Sequence, residues 1–320
     1  ALDSGESQKF IRSISGKALR YDLTVPFARF VAEHQNDLVF PYRRYQIQPV
    51  WRADRPQYGR FQEFYQCDAD IVGDSSLWQE VEMIYLYDKA FSDLKIKGLT
   101  LKVNHRKILS GIASLLGAES KLIEFTIALD KLDKIGHNGV LNELIKKDFS
   151  KDSLKILEKL LKLDGSIKHQ ISILKELLSS HKIGLEGLSE LEFTLNQFND
   201  NQLKSIKLQF DLTLARGLHY YTGIIVEVTA PEKVKMGSIG GGGRYDNLTS
   251  AFGLKNMSGI GISFGFERIY LVMDQLGLFP KTLSYQTKVL FANFGVEAVK
   301  IIFPYLCLLY TSPSPRDSDS

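Results

Sequence analysis

The sequence predicts an α+β chain, on three observations. Two runs that alternate polar and apolar residues, Arg44–Arg52 and Phe61–Val72, flank a Pro- and Gly-punctuated connection at Ala53–Gly59 and read as an antiparallel hairpin. A long stretch from Lys107 to Ser205, rich in Leu, Ile, Lys and Glu at helical spacing, reads as a helical insertion. Strand texture then returns over Leu208–Thr229 and again at Ser258–Phe264.

Taken in order, Ser15–His34 reads as a turn, a short strand and a helix with Pro26 in its first turn, where a missing N–H does no harm. Phe27, Phe30 and Val31 give that helix an apolar stripe, and Asp22 with Thr24 stands where helix caps and binding groups both occur. After the hairpin, Ser75–Lys97 is a helix that Ser76 can cap and Gly98 stops. Leu99–Val103 is a strand ending in Asn104-His105-Arg106, read as structural. Gly240–Gly243 gives a strand–turn without side chains, which taken alone is as ordinary as any flexible loop but permits close approach of a ligand to the backbone. Ser258–Val272 passes from strand to helix with Arg268 near the helix start, a place the dipole disfavours for a cation unless an anion accompanies it.

Bulk properties narrow the class. The 320 residues are 44% hydrophobic and 24% charged, ordinary for a soluble globular chain with room for more than one unit. A net charge of +3, from 40 basic and 37 acidic residues, neither suggests nor excludes an RNA partner. Cys67 and Cys307 have no metal-ligand or disulfide-framework spacing, and the six histidines form no metal motif, so no structural metal is expected and a reducing, cytoplasmic location is. The most apolar run, Ile301–Tyr310, is too short to cross a bilayer. Thr311–Ser320 is Ser/Pro/Asp-rich with no core-forming pattern.

The hairpin carries the chemistry. Arg52, Asp54, Arg55, Arg60, Gln62, Glu63, Gln66, Asp68 and Asp70 crowd between residues 52 and 70, and residues two apart on a strand share a face. Such crowding fits a solvated face with surface ion pairs. It also fits a surface on which arginine forks meet phosphate while Phe64 meets a flat ring and carboxylates meet a cation.

The string VWRADRPQYGRFQEFYQCDADIVG (residues 50–73) resembles motif 2 of the class II aminoacyl-tRNA synthetases, in its histidyl-tRNA synthetase form. LRYDLTVPFAR, RGLHYYTG, GGRYD and GISFGFERI resemble, in family order, the family's amino-acid-binding segment, its histidyl signature, a substrate-side strand and motif 3. The resemblance implies a class II catalytic core, an antiparallel sheet flanked by helices with a helical insertion domain. It also implies an enzyme that activates L-histidine with ATP, accompanied by Mg²⁺, and charges tRNA(His). A catalytically silent histidine-sensing relative is the alternative.

By resemblance, Arg216 and Arg52 are catalytic. Asp22, Leu23, Thr24, Arg52, Gln66, Asp70, Arg216, Tyr220, Tyr221 and Tyr245 bind histidine, and Arg52, Asp54, Arg60, Phe64 and Arg268 bind ATP. Two departures stand out: Asp54 where the motif usually has Glu, and His219 where an acid is common. The implied division is 1–103 and 206–284 for the two parts of the core, 104–205 for the insertion, and 285–320 for the start of an anticodon-binding domain, opening at Lys288–Phe294, plus tail. The chain starts at Ala1 without motif 1, and so reads as a fragment of a protein that is a homodimer when full length.

Overall fold

The hairpin forms one edge of a seven-stranded sheet in the computed structural model, which describes residues 15–199, 202–215, 220–280 and 291–311. The strands are β1 (Tyr42–Trp51), β2 (Glu63–Val72), β3 (Leu99–His105), β4 (Ile206–Phe210), β5 (Ile224–Thr229), β6 (Ser238–Tyr245) and β7 (Gly259–Gly265), in the spatial order β1-β2-β7-β6-β5-β3-β4. The sheet is antiparallel throughout except for the β3–β4 pair, which is parallel. Six helices lie between those two strands, and a connection of that length lets the chain re-enter the sheet in the same direction. They are α3 (Arg106–Leu115), α4 (Leu122–Asp130), α5 (Leu132–Ile145), α6 (Lys151–Leu161), α7 (Ile167–Leu177) and α8 (Lys182–Leu195), after α1 (Thr24–Glu33) and α2 (Trp78–Asp93) earlier in the chain.

Local chemistry explains most of the element ends. Ser150 and Ser166 cap α6 and α7 by accepting from the N–H groups of Ser153 and His169. Ser76 accepts from Trp78 N–H but stands one residue before the N-cap, Leu77, which has no side-chain cap, and the helix is shorter at both ends than the periodicity suggests. The short strand expected before α1 does not form. Residues 15–23 are irregular, because this segment meets β1 through single bonds (Trp51 N–H to Arg20 O at 2.9 Å) rather than a ladder. Phe30 is exposed against His34; Phe27, Ala28 and Val31 make the buried face instead.

The main core lies between α2 and the sheet. Tyr87 and Phe91 stack at 5.9 Å, and Phe264 of β7 meets Tyr87 edge-on at 4.7 Å. The Tyr87 hydroxyl donates to Gly241 O and Ser263 O, so the largest buried ring of α2 is pinned to two central strands. Arg244 of β6 makes a buried fork onto Glu80 of α2, with Nε–Oε1 and Nη2–Oε2 distances of 2.5 and 2.6 Å.

Two of the helices between β3 and β4, α3 and α8, are held together by a contact that only small residues allow. A Cβ added to Gly111 of α3 would lie 2.6 Å from Gly184 Cα of α8, and one on Gly187 would lie 2.8 Å from Lys107 Cβ and 3.0 Å from His105 Nδ1. The two helices therefore meet backbone to backbone. Around the crossing, buried His105 reaches Glu190 at 2.8 Å, and Lys107 Nζ lies 2.6 Å from both Glu186 and Glu190. Burial would raise the Glu190 carboxyl, but the hydrogen bonds from His105 and Lys107 outweigh it and hold the group at about 2.

A second unit starts at residue 279. In it α10 (Val296–Thr311) follows Phe291–Gly295, which has no strand; the strand expected at Lys288–Phe294 has its first three residues outside the described ones. The remaining helix, α9 (Phe266–Gln275), directly follows β7. Among the described residues, no helix is long and apolar enough to cross a membrane.

Two predictions follow from the α3–α8 crossing. Gly184→Val forces the backbones apart and lowers unfolding free energy by about 1–3 kcal/mol, measurable by urea denaturation. Because Glu190 is depressed in the folded state, its stabilisation is complete above the ordinary glutamate value and is lost as pH falls through about 2. The acid-unfolding curve of Glu190→Gln therefore loses that component between roughly pH 4.5 and 2, and an unchanged curve would contradict the assignment.

Candidate active site

The site is built on a reversal of the usual rule for a sheet edge. In the middle of β1 the apolar residues face out, with Tyr45 82% and Ile47 56% exposed, while Arg44, Gln46 and Gln48 face in beside buried Val50. Strand register continues this inward polar face. Gln48 pairs with Gln66, Gln46 with Asp68 and Arg44 with Asp70; across β2, Asp68 pairs with Ser263 and Asp70 with Gly261 of β7. Side chains two apart share a face, so Phe64, Gln66, Asp68 and Asp70 form one row along β2.

Above this row lies a cavity of about 300 Å³. Its floor at the sheet centre is Gly240, Gly241 and Gly242, which sit inside β6 rather than in a turn. They are glycines for a packing reason, since a Cβ on Gly242 would lie 2.1 Å from Gly261 O. Of the residues expected from the sequence, Asp22, Thr24, Arg52, Asp54, Arg60, Phe64, Gln66, Tyr220, Tyr221 and Arg268 all line this one cavity. Leu23, Asp70 and Tyr245 are buried outside the lining. Arg216 and His219 lie outside the described residues.

The cavity has two chemically different ends. At one, the Arg52 guanidinium lies over Phe64 at 5.0 Å and over Tyr21 at 4.5 Å, and donates to Tyr21 O. Arg60 pairs loosely with Asp54 at 3.8 Å. Arg268, near the start of α9, donates to Gly59 O at 2.6 Å and Ser238 O at 2.5 Å, which ties the hairpin tip to β6. Gly59 takes φ +70°, a backbone conformation that side-chain-bearing residues rarely adopt, so glycine shapes the tip that carries Arg60.

At the other end the groups are carboxylates, phenols and amides. Asp22 accepts from Val25 N–H in the first turn of α1 at 3.2 Å and also lines the cavity. Burial pushes its carboxyl up, against that hydrogen bond and the nearby Arg52 and Arg44. Tyr220 and Tyr221 meet edge-on at 4.9 Å, and Tyr220 bonds Thr24. Burial raises both phenols, so each keeps its proton and can donate. Gln66 Nε2 donates to Ser263 Oγ, whose hydroxyl serves Asp68.

Behind this end sits a buried pair. Arg44 Nη2 is 2.9 Å from Asp70 Oδ2, and the Tyr245 hydroxyl donates to Asp70 Oδ1 at 2.7 Å. A Cβ on Gly261 would fall 2.1 Å from Asp70 Oδ1, so glycine there admits the carboxylate. Arg44 also donates to Leu23 O and stacks on Phe27, joining α1 to the sheet. Arg44, Asp68 and Ser263 were not among the residues expected in the site. The signal for Asp68 was its period-two place between Gln66 and Asp70; for Arg44 it was an arginine within an alternating strand, which reads as solvent-facing.

A sheet of this order, with a charged hairpin at its edge and a helix leaving the adjacent strand beside the arginines, is the catalytic core of the class II aminoacyl-tRNA synthetases. A family model described as histidyl-tRNA synthetase matches residues 7–269. The chain is 59% identical over 295 residues to a histidine–tRNA ligase of Christiangramia forsetii, covering 92% of this chain and 65% of that protein. It is 59% identical over 290 residues to one of Flavobacterium johnsoniae, covering 91% and 61%. The crystal structure of histidyl-tRNA synthetase from a Nostoc species is similar with a TM-score of 0.74 at 31% identity, over 92% of this chain and 68% of that one. The chain belongs to the histidyl-tRNA synthetase family, and it spans 65% and 61% of the length of the two ligases.

The buried pair predicts a stability effect separable from chemistry. Asp70→Ala leaves the Arg44 guanidinium uncompensated beneath the cavity and costs about 3–5 kcal/mol. Urea unfolding checks this; a loss under about 1 kcal/mol would mean that the pair behaves as a surface one.

Proposed function

We propose that the chain carries the amino-acid-activating centre of a histidine–tRNA ligase. The reaction joins L-histidine to ATP as histidyl-adenylate, releases pyrophosphate, and passes the histidyl group to tRNA(His). The observation that carries this reading is the partition of a single cavity: Arg52, Arg60 and Arg268 on one side, and Asp22, Gln66, Tyr220 and Tyr221 on the other. A polyphosphate needs fixed cations, whereas an amino acid's ammonium and ring need acceptors and hydroxyls, and a cavity holding both sets brings the two substrates together.

In this reading the histidine carboxylate attacks the α-phosphorus of ATP as the bond to pyrophosphate breaks. The protein does little covalent chemistry; it positions the reactants and stabilises charge at phosphorus. Arg52 meets the α-phosphate and the substrate carboxylate. Adenine stacks on Phe64 with Asp54 at its edge, and Arg60 and Arg268 hold the outer phosphates. Tyr220 and Tyr221 face the imidazole, Asp22, Thr24 and Gln66 the ammonium side. Tyr245 and Asp70 form the wall behind them, next to Leu23. Arg216 is the main catalytic cation by resemblance. Mg²⁺ accompanying ATP would supply neutralisation of the phosphate charge. Glu227 and Glu267, both in the lining, would be the residues to hold it.

The full-length protein is proposed to be a cytoplasmic homodimer. The catalytically silent histidine sensor is disfavoured by the three arginines, which a sensor of histidine alone has no use for.

Histidine-dependent ATP–pyrophosphate exchange tests the reading. Histidine alone among the amino acids supports exchange, and Arg52→Ala reduces it about 10²–10³-fold. Exchange that survives Arg52→Ala unchanged, or that another amino acid drives equally well, overturns the reading.

A further inference from the structure

Within the cavity, a carboxylate that sequence resemblance does not indicate is also placed to meet the substrate's cation. Asp70 lies behind the wall: its Oδ2 is 2.9 Å from Arg44 Nη2 but makes no hydrogen bond, its Oδ1 accepts from Tyr245, and its side chain is buried outside the cavity lining. Asp68, one step along the same strand face, does line the cavity. It is 3% exposed, and its Oδ1 is buried without a hydrogen-bond partner. Gln66 Oε1, the neighbouring acceptor in the row, is buried and unpartnered in the same way. A buried oxygen left without a donor is costly, and two side by side at a cavity wall describe a place that a multi-donor group fills.

The rest of this end is rich in acceptors too. Asp22 and Thr24 line it from α1 and the segment before it, and the Ser263 hydroxyl is already spent between Gln66 and Asp68. An ammonium group offers three N–H donors and a positive charge, which matches two unpartnered oxygens and a carboxylate better than a neutral ring does. We infer that Asp68 is a further substrate-binding residue, receiving the α-ammonium of the amino acid together with Gln66. This rests on the proposed activity.

Asp68 is also prepared to sense its occupant. Burial pushes its carboxyl up to about 7; the Ser263 hydrogen bond opposes this, Asp70 adds to it, Arg44 opposes it and Asp22 adds to it. Cys67 and the phenols of Tyr87 and Tyr221 are the other titratable groups within its influence. An arriving ammonium favours the ionised carboxylate, so binding releases a proton when pH is near or below 7. The sign follows: below pH 7 Asp68 is protonated in the empty site, and affinity for the amino acid falls as pH is lowered through that value.

The test uses Asp68→Asn, which keeps the shape and a partner for Ser263. Histidine-induced thermal stabilisation of the chain, read as an apparent Kd, is measured alongside inhibition by imidazolepropionate, the same molecule without its amine. The expected result is an unligated melting temperature equal to or above that of the parent, histidine affinity at least tenfold weaker, and imidazolepropionate affinity unchanged. Between pH 8 and 6, the parent loses histidine affinity more steeply than Asp68→Asn does, the common remainder being the ligand's own imidazole.

Equal histidine affinity in the two proteins would overturn the inference. So would a parallel loss for histidine and imidazolepropionate, which would place Asp68 at the ring or in the framework. If histidine fails to stabilise the parent chain at any pH, it is the proposed activity that falls.

Discussion

The Arg44–Asp70 pair beneath the cavity is the constraint on which the rest of the site depends. An edge hairpin ordinarily turns its polar side to water, and this one turns it inward. That is tolerable only because the innermost charges answer each other at 2.9 Å and the Tyr245 hydroxyl takes the remaining carboxylate oxygen. The consequences spread outward. Gly261 must lack a side chain to admit Asp70, Gly259 must lack one to admit the Tyr245 ring, and Arg44 pulls the loop before α1 onto the sheet through Leu23 O.

From that base the cavity divides by charge without any ion being wasted. Backbone carbonyls and aromatic faces help fix the arginines: Arg52 lies over Tyr21 and Phe64, and Arg268 donates to Gly59 O and Ser238 O. Held so, they keep their positive field for an incoming anion. At the other end, burial raises the carboxyls of Asp22 and Asp68 and keeps the phenols protonated, so that end answers to a cation and to hydrogen-bonding rings. The glycine floor between the two ends lets ligands approach the strands closely.

Much of this was legible in the residues. Alternation located both hairpin strands, and the string from Val50 to Gly73 led to Arg52, Arg60, Phe64 and Gln66, all of which line the cavity. What alternation does not tell is which face turns inward. Tyr45 and Ile47 read as core and are exposed, and Arg44 reads as surface and is buried. Such a reversal is decided by tertiary partners such as Asp70 and Phe27, which are distant in sequence. Gly240–Gly243 misled in the same way: glycine suggests a turn, and only the packing of Tyr87 and of the neighbouring strands requires it in mid-sheet. The Lys107–Ser205 stretch was readable as helices, but the backbone contact of Gly111 with Gly184 that fastens them was not.

The central claim is that one cavity holds the amino acid at its carboxylate end and the nucleotide at its arginine end. A crystal structure of this chain with a non-hydrolysable histidyl-adenylate analogue tests it most directly. The account predicts adenine against Phe64, the phosphate mimic within hydrogen-bond reach of Arg52, and the amine between Gln66 and Asp68. An analogue bound in the opposite sense, or away from the row of Phe64, Gln66 and Asp68, would contradict it.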